Sequence, residues 1–396
     1  MKNRDIIIKF KLIIQSAIMF SLLLFQSCNS DSPAAVASKT RSVLKKTMPY
    51  QMKDGKIKVL IIANTIWSPY IERFIEGCAS EGNALGFNVD TLVTGGNSES
   101  CKEAISKAAK DNYDGIILSH SGPVYTYDSL LPITNKGIKA VTFDSYPYTI
   151  VLGNIKYNEM VKNVTSTALK DEKLARLSLQ SLVNSFPGKK PIKVIRSHMG
   201  PGIMPIEARK RVYDTFVKNG YIEEVGAVKA HHSSGNPYRE VQEQLLWLLD
   251  SDLKDKEIDA VWSPYDELAK GCLEALIAAN RRDIKLFSID ICDEDINLMR
   301  SNKSQWISTA AADPRQIGVV NMRILAAKFA NERTPKEIYF DVYLIESDKL
   351  KDGVNMSNIT NVIPRLGDSG KLFSNYEWMR KIRVIRGGRQ GQKDKK

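Results

Sequence analysis

From residue 57 onward the chain alternates short apolar runs with amphipathic stretches, and this alternation constrains its fold more than any other feature. Residues 57–63, 89–94, 115–119 and 139–144 read as strands. Residues 69–85, ended by Gly86, 99–110 and 130–135 read as the helices between them. A second series follows the irregular stretch 145–163, with helices at 170–185, 206–219, 238–249 and 267–280. Its strands are 192–197, 225–230, 258–263 and 284–290. Parallel strands need crossovers of a dozen or more residues, and the spacing of the strand starts supplies them. Near-continuous apolar strands suit parallel sheets covered on both faces. Two such series imply two α/β lobes, and ligands of open parallel sheets bind beyond the carboxyl ends of the strands. Those ends are polar here: Asn64, Ser119-His120, Asp144, Ser197-His198, His231, Tyr265-Asp266 and Asp290.

The formal charge of +12 would suggest nucleic acid or an anionic surface as partner. Its distribution argues otherwise. Residues 1–56 and 366–396 together hold 19 basic and 6 acidic side chains, leaving 38 and 39 in the body. The body is neutral, and no nucleic-acid partner is expected. Lys2, Arg4, Lys9 and Lys11 precede an apolar stretch from Leu12 to Phe25, the layout of an export signal and short for a membrane span. Leu24-Phe25-Gln26-Ser27-Cys28 then resembles a bacterial lipobox, which makes Cys28 a candidate lipidation site and residues 1–28 a lipoprotein signal. An ordinary cleaved signal is the alternative. Residues 29–56 are rich in Ser, Ala and Lys and read as a tether. The basic extension 366–396 reads as a solvated, partly disordered tail, with contact to anionic lipid or an acidic partner as the other reading.

Signatures of catalysis and metal binding do not assemble. Cys78, Cys101, Cys272 and Cys292 form no C-x-x-C pair. Gly200-Pro201-Gly202 opens like a dinucleotide fingerprint, but Pro205 stands where the last Gly belongs. Asp293-Glu294-Asp295 starts like a calcium loop, yet Leu298 replaces the turn Gly and Ser304 the bidentate Glu. A solvated helix start is the simpler reading. No Walker A sequence and no G-x-S-x-G elbow occur. The chain is therefore expected not to be an enzyme and to need neither cofactor nor metal.

Several segments together resemble the ribose-type sugar-binding proteins of ABC transporters, the type I periplasmic binding proteins. Asn64-Thr65-Ile66-Trp67-Ser68-Pro69-Tyr70 resembles their polar-Pro-aromatic first loop, and Val141-Thr142-Phe143-Asp144 their fourth-strand ending. Glu207-Ala208-Arg209-Lys210-Arg211 resembles the R-x-R of a second-lobe helix. Trp262 to Gly271 resembles their N-D-E-x-A-x-G segment. Phe287-Ser288-Ile289-Asp290 matches a strand ending in Asp, and Ala310 to Gly318 a hinge crossing. The similarity covers about 57–350. It implies two Rossmann-like lobes with parallel sheets joined by a three-crossing hinge: 57–165 plus 312–341 as lobe 1, and 166–311 plus 342–365 as lobe 2.

The resemblance also implies a function. The protein would be a monomeric, membrane-anchored extracytoplasmic lipoprotein, in the periplasm or at the cell surface, that captures a monosaccharide or related polyol between its lobes and delivers it to an ABC permease. A sensor presenting the same ligand to a chemoreceptor or histidine kinase is the alternative. Carried over by position, the ligand-binding residues are Asn64, Trp67, Ser68, Tyr70, Asp144, Arg211, Tyr265, Asp266 and Asp290. Tyr265 stands where the family has Asn, Ser145 where the ribose protein has Arg, and Ala312 where a polar hinge residue is usual, which points away from ribose itself. Structural readings stand beside these. Asp266 and Asp313 precede helices and read first as caps. Trp67 and Tyr70 fit a core as well as a ligand face, and Arg211 could pair with Asp214 along its own helix. Asp144 and Asp290 have no such explanation, because a buried carboxylate at a strand end needs donors.

Overall fold

The computed structural model describes Pro49 and residues 57–151, 156–200, 202–231, 235–302 and 305–393. The signal segment, Cys28 and nearly all of the tether lie outside the described residues. Among the described residues no helix is long and apolar enough to cross a membrane.

Strand β1 (Lys58–Ala63) is a run of aliphatic residues buried from Val59 onward. It leads into helix α1 (Pro69–Leu85), where Ser68 caps the first turn and Gly86, at φ 92°, ends the last. Only a residue tolerant of the left-handed region can close a helix this way without strain. Strand β2 (Asn88–Val93), helix α2 (Ser98–Lys110), strand β3 (Gly115–Ser119), helix α3 (Pro123–Asn135) and strand β4 (Lys139–Phe143) continue the alternation. A hairpin of β5 (Tyr148–Val151) and β6 (Lys156–Met160) interrupts it, and β7 (Val164–Leu169) resumes it.

The second series comprises α4 (Asp171–Asn184), β8 (Ile192–Met199), α5 (Met204–Lys218), β9 (Ile222–Ala230), α6 (Pro237–Asp250), β10 (Ala260–Trp262), α7 (Asp266–Ala278), β11 (Lys285–Ile289), α8 (Asp293–Ser301) and β12 (Trp306–Ala311). Then come α9 (Pro314–Phe329), β13 (Glu337–Phe340), β14 (Tyr343–Glu346) and α10 (Glu377–Lys393).

The first sheet has the order β13-β7-β4-β3-β1-β2, all neighbours parallel. The second has the order β14-β12-β11-β10-β8-β9 and is parallel except for β14, which runs antiparallel to β12. The two orders are the same when β13 is matched to β14, so two similar α/β lobes result. The chain passes between them at Lys170, at Ala312-Asp313 and at Asp341-Val342. A boundary at 165 would have cut β7, which pairs with β4 through Phe143 and Thr167 and belongs to lobe 1 as far as Leu169. That strand reads Val-Thr-Ser-Thr-Ala-Leu and lacks an apolar run, yet it is buried throughout. Its threonine hydroxyls find backbone partners: Thr165 donates to the Pro335 carbonyl just before β13 at 2.7 Å and Thr167 to the Thr142 carbonyl of β4 at 2.8 Å.

Lobe 1 is closed by a segment distant in sequence. Helix α9 lies against α1, and the contact depends on two glycines. A Cβ on Gly77 would sit 2.1 Å from the Arg315 carbonyl oxygen, and one on Gly318 would sit 2.1 Å from that of Phe74. No side chain fits, so the backbones touch.

The basic extension is not a solvated tail. After β14, Leu350, Met356, Ile359 and Leu366 join the core of lobe 2. The chain then returns to lobe 1, where a turn at Ser369–Lys371 rests on α9 and α10 rests on α1. Met379 and Ile382, three residues apart on one helical face, are fully buried. Glu81 of α1 receives Arg323 from α9 at 3.0 Å and Arg383 from α10. The two apolar residues are outnumbered by lysines and arginines, which is why the segment reads as solvent-exposed in sequence. Truncating Ile382 to Ala should lower stability by about 2–4 kcal/mol, the range for a buried aliphatic side chain. Urea unfolding followed by circular dichroism measures this, and a change below half a kcal/mol would mean the helix does not dock.

Candidate functional site

The carboxyl ends of both sheets face one cavity of about 470 Å³ between the lobes. Three of the residues that line it sit just past strand ends in the left-handed backbone region: His120 at φ 58°, Asp144 at φ 45° and Asp290 at φ 71°. Asp and His enter that region more readily than most residues, but at a cost that surrounding structure must offset. Here the sheet does so. Each residue donates its backbone N–H to the neighbouring strand: His120 to Phe143 at 3.1 Å, Asp144 to Thr167 at 2.9 Å and Asp290 to Ala310 at 2.9 Å. The chain is turned sharply while its last ladder bond is kept, and the side chain is aimed into the cleft.

Arg209 organises the lobe 2 wall. It is 4% exposed and lies on the buried stripe of α5 with Pro205, Val212 and Tyr213. Its Nε donates to Asp171 at 2.9 Å, and one terminal nitrogen donates to Asp290 at 2.8 Å and to the Pro264 carbonyl at 2.6 Å. Burial alone would lower the guanidinium, but Asp290 and Asp171 raise it, so it is always charged. Asp144 faces this group from lobe 1 with few partners. It accepts a long bond from the Leu169 N–H at 3.4 Å, and the His120 ring lies 4.0 Å away. Burial and then the Asp171 charge push its carboxyl well above the ordinary range. Burial, and after it the Asp290 and Asp144 charges, raise the Tyr70 phenol. Tyr70 therefore feels the charge of carboxylates from both lobes.

Of the residues expected from sequence, Asn64, Trp67, Ser68, Tyr70, Asp144, Tyr265, Asp266 and Asp290 line the cavity, and Arg211 does not. Arg211 is 61% exposed in its side chain and lies 3.5 Å from Glu172. Two residues turn a helix by about 200°, so Arg209 and Arg211 face nearly opposite ways. The expected Arg211–Asp214 pair is also replaced, since Asp214 pairs with Lys210 at 2.5 Å. Two of the lining residues have their polar atoms engaged. Asn64 donates to the Tyr125 hydroxyl at 2.8 Å and accepts from Thr94 at 2.7 Å. The Ser68 hydroxyl accepts the Ile71 N–H and caps α1. Ser145 bonds the Ser121 N–H at 2.8 Å. Trp67, at 55% exposure, stands at the mouth rather than in the core.

Asp266 is the first residue of α7 and not its cap, which is Tyr265. It is buried, and burial followed by the Asp295 charge raises its carboxyl well above the ordinary range. Asp266, Asp295 and Cys292 place one ligand-capable atom each within 4.8 Å of one another. A capping box brings two of them together: Asp295 accepts the Cys292 N–H at 2.6 Å at the start of α8. That helix start, expected to be solvated, has Asp295 wholly buried. Asp313 does cap α9, accepting the Arg315 N–H at 3.0 Å.

Arg209, His120 and Asp171 were not among the expected ligand-binding residues, although His120 stood out as a polar strand end and Arg209 as the first arginine of the R-x-R segment. Helical period was the available signal for Arg209, because Pro205, Val212 and Tyr213 mark its face. Strand β8 runs to Met199, two residues further than expected, so Met199 and not His198 lines the cavity. His231 lies outside the cavity lining and pairs with Glu240.

A family model described as a periplasmic binding protein domain matches residues 59–333. The crystal structure of a sugar ABC transporter protein from Yersinia enterocolitica is similar, with 31% identity over 83% of this chain and 95% of that one, at a TM-score of 0.75. A 5-methylthioribose transporter solute-binding protein from Thermotoga lettingae, solved with 5-methylthioribose, is 23% identical over 84% and 98%, with a TM-score of 0.72. A carbohydrate transporter solute-binding protein from Agrobacterium radiobacter, solved with D-arabinose, is 16% identical over 76% and 97%, with a TM-score of 0.64. No sequence among the curated proteins matches. The two-lobed α/β architecture is thus that of the type I periplasmic binding proteins.

Burial, and secondarily the Arg209 charge, lowers the His120 imidazole to about 4 from its ordinary 6.5. The folded chain keeps His120 neutral where the unfolded chain binds a proton. Its contribution to stability is therefore complete above pH 6.5 and is lost as pH falls toward 4. A His120→Gln variant lacks this dependence. The stability difference between wild type and variant should shrink by roughly 1–3 kcal/mol from pH 7 to pH 4, read by urea unfolding at each pH. A difference that stays constant would place the imidazole in water.

Proposed function

Because the chain belongs to the periplasmic binding protein family, we propose that it captures a monosaccharide or related polyol between its lobes and delivers it to an ABC permease while tethered to the membrane through a lipid on Cys28. The family and its Yersinia relative are those of extracytoplasmic sugar-binding proteins of ABC transporters, not of enzymes. One observation carries the monosaccharide reading. Asp144 of lobe 1 and the Arg209–Asp290 pair of lobe 2 line one cavity with aromatic side chains beside them.

A sugar presents hydroxyls that both donate and accept, and two faces of C–H bonds. A carboxyl serves a hydroxyl in either protonation state, so the raised Asp144 remains a competent partner. Both Asp290 oxygens face Arg209, yet each keeps a second lone pair for a ligand hydroxyl. Tyr70 and Trp67 cover apolar faces. Hydrogen bonds to charged groups contribute about 1.5–3 kcal/mol each, so three such groups supply much of the roughly 8 kcal/mol of a micromolar complex. Since the partners come from different lobes, ligand favours the state in which the lobes are close.

Arg209→Lys and Asp144→Asn should each weaken binding of the sugar that co-purifies with the protein, as identified by mass spectrometry, by tenfold or more in calorimetry. Arg211→Ala should change it by less than twofold. Equal losses at 209 and 211 would remove the cavity from consideration. For the anchor, Cys28→Ser should abolish incorporation of a clickable fatty acid and release the protein from the membrane fraction. A variant that still incorporates label would sink the lipidation reading.

A further inference from the structure

Most of the lobe 2 wall of the cavity is polar or charged, with Arg209, Asp266, Glu267, Lys270 and Asp290 among its lining, but it includes one aliphatic stretch. Along α5, Arg209, Ile206 and Ile203 follow one another at intervals of three residues and all line it. At 1.5 Å per residue, Ile203 stands about 9 Å along the helix axis from Arg209. Ile203 occupies the cap position without a capping side chain, and Pro205 in the first turn has no N–H to offer. The side chains presented at this helix start carry no donors, and Pro205 removes one of its free backbone N–H groups. Met199 adds a thioether to the same lining, and the Tyr265 hydroxyl donates to its sulfur at 3.3 Å. Tyr265 contributes its ring, and its oxygen remains an acceptor. Met199, Ile203 and Ile206 are all only half-buried, so they keep apolar surface for something to cover.

A plain monosaccharide fits this wall badly. Its rim is hydroxyl on all sides, and lobe 1 already offers the rings of Tyr70 and Trp67 to its C–H surface. A hydroxyl pressed against Ile203 or Ile206 would lose its water without gaining a partner. Building on the monosaccharide reading above, we propose that the ligand is a sugar with an apolar terminal group, a terminally deoxygenated or alkylated monosaccharide. Its hydroxyls engage Asp144, Arg209 and Asp290, and its apolar group packs on Met199, Ile203 and Ile206.

Matched probes test this by titration calorimetry: D-ribose against 5-deoxy-D-ribose and 5-O-methyl-D-ribose, and D-galactose against its 6-deoxy and 6-O-methyl forms. Within the series that binds, an apolar-ended member should bind at least fivefold tighter than its parent. That is the lower end of the effect of leaving one hydroxyl without a partner. The heat-capacity change on binding should also be more negative for that member. In Ile203→Ser/Ile206→Ser, whose sites are partly exposed and so tolerate the change, the preference should fall below twofold. A parent sugar that binds as tightly as its apolar-ended forms, or a preference unchanged in the double variant, overturns the inference and leaves the monosaccharide reading intact. Binding of no member of either series overturns the inference, and a co-purified ligand that is neither sugar nor polyol overturns both.

Discussion

The buried guanidinium of Arg209 is the interaction on which the site depends. It joins three parts of lobe 2 that are far apart in sequence: the start of α4 through Asp171, the end of β11 through Asp290 and the loop before α7 through the Pro264 carbonyl. Two carboxylates flank one cation out of water, so loss of the cation leaves two buried carboxylates without a partner charge. Asp171 follows directly on the Lys170 crossing between the lobes. The same ion cluster thus fixes the cleft wall and the place where the chain enters lobe 2. Asp144 approaches from lobe 1 with a carboxyl that, among the described residues, has no lysine or arginine in direct contact. The asymmetry between a satisfied cluster on one lobe and an under-satisfied carboxyl on the other is what leaves room for a ligand.

Strained strand ends are the second element of the design. His120, Asp144 and Asp290 all turn through the left-handed region, and all keep a sheet hydrogen bond while doing so. Asp144 and Asp290 occupy equivalent places in the two sheets, one beside β7 and the other beside β12. The lobes thus place similar groups at similar positions, and the cavity gathers both.

Much of this was legible in the sequence, and the parts that were not have physical reasons. Apolar runs disclosed β1, β3, β4 and β11, and their polar ends pointed to Asp144 and Asp290. Strand β7 was hidden because its threonines find backbone partners, so no hydrophobic pattern marks it. Arg209 was hidden behind Arg211: a motif of two arginines does not say which one faces inward, whereas the turn angle of the helix does. Asn64 and Ser68 were placed correctly at the cavity, but position along a chain does not reveal that Tyr125, Thr94 and the α1 backbone already occupy their polar atoms. Helix α10 was missed because two buried side chains among many charges carry a weak periodic signal.

The path of α9 and α10 bears on how the chain is made. Lobe 2 takes its central strands and helices from one continuous stretch, β8 to β12. Lobe 1 begins with β1 but lacks the helix seated on Gly77, and with it Arg323, the first partner of Glu81, until α9 has been synthesised; the second, Arg383, follows only with α10. A ribosome releases residues in order, at about 5–20 per second. The lobe begun first is therefore completed last, some 300 residues after its first strand. During that interval α1 exposes Gly77, Phe74 and the rest of its α9 face, a surface that a chaperone or a secretion machine would meet before the native partner arrives.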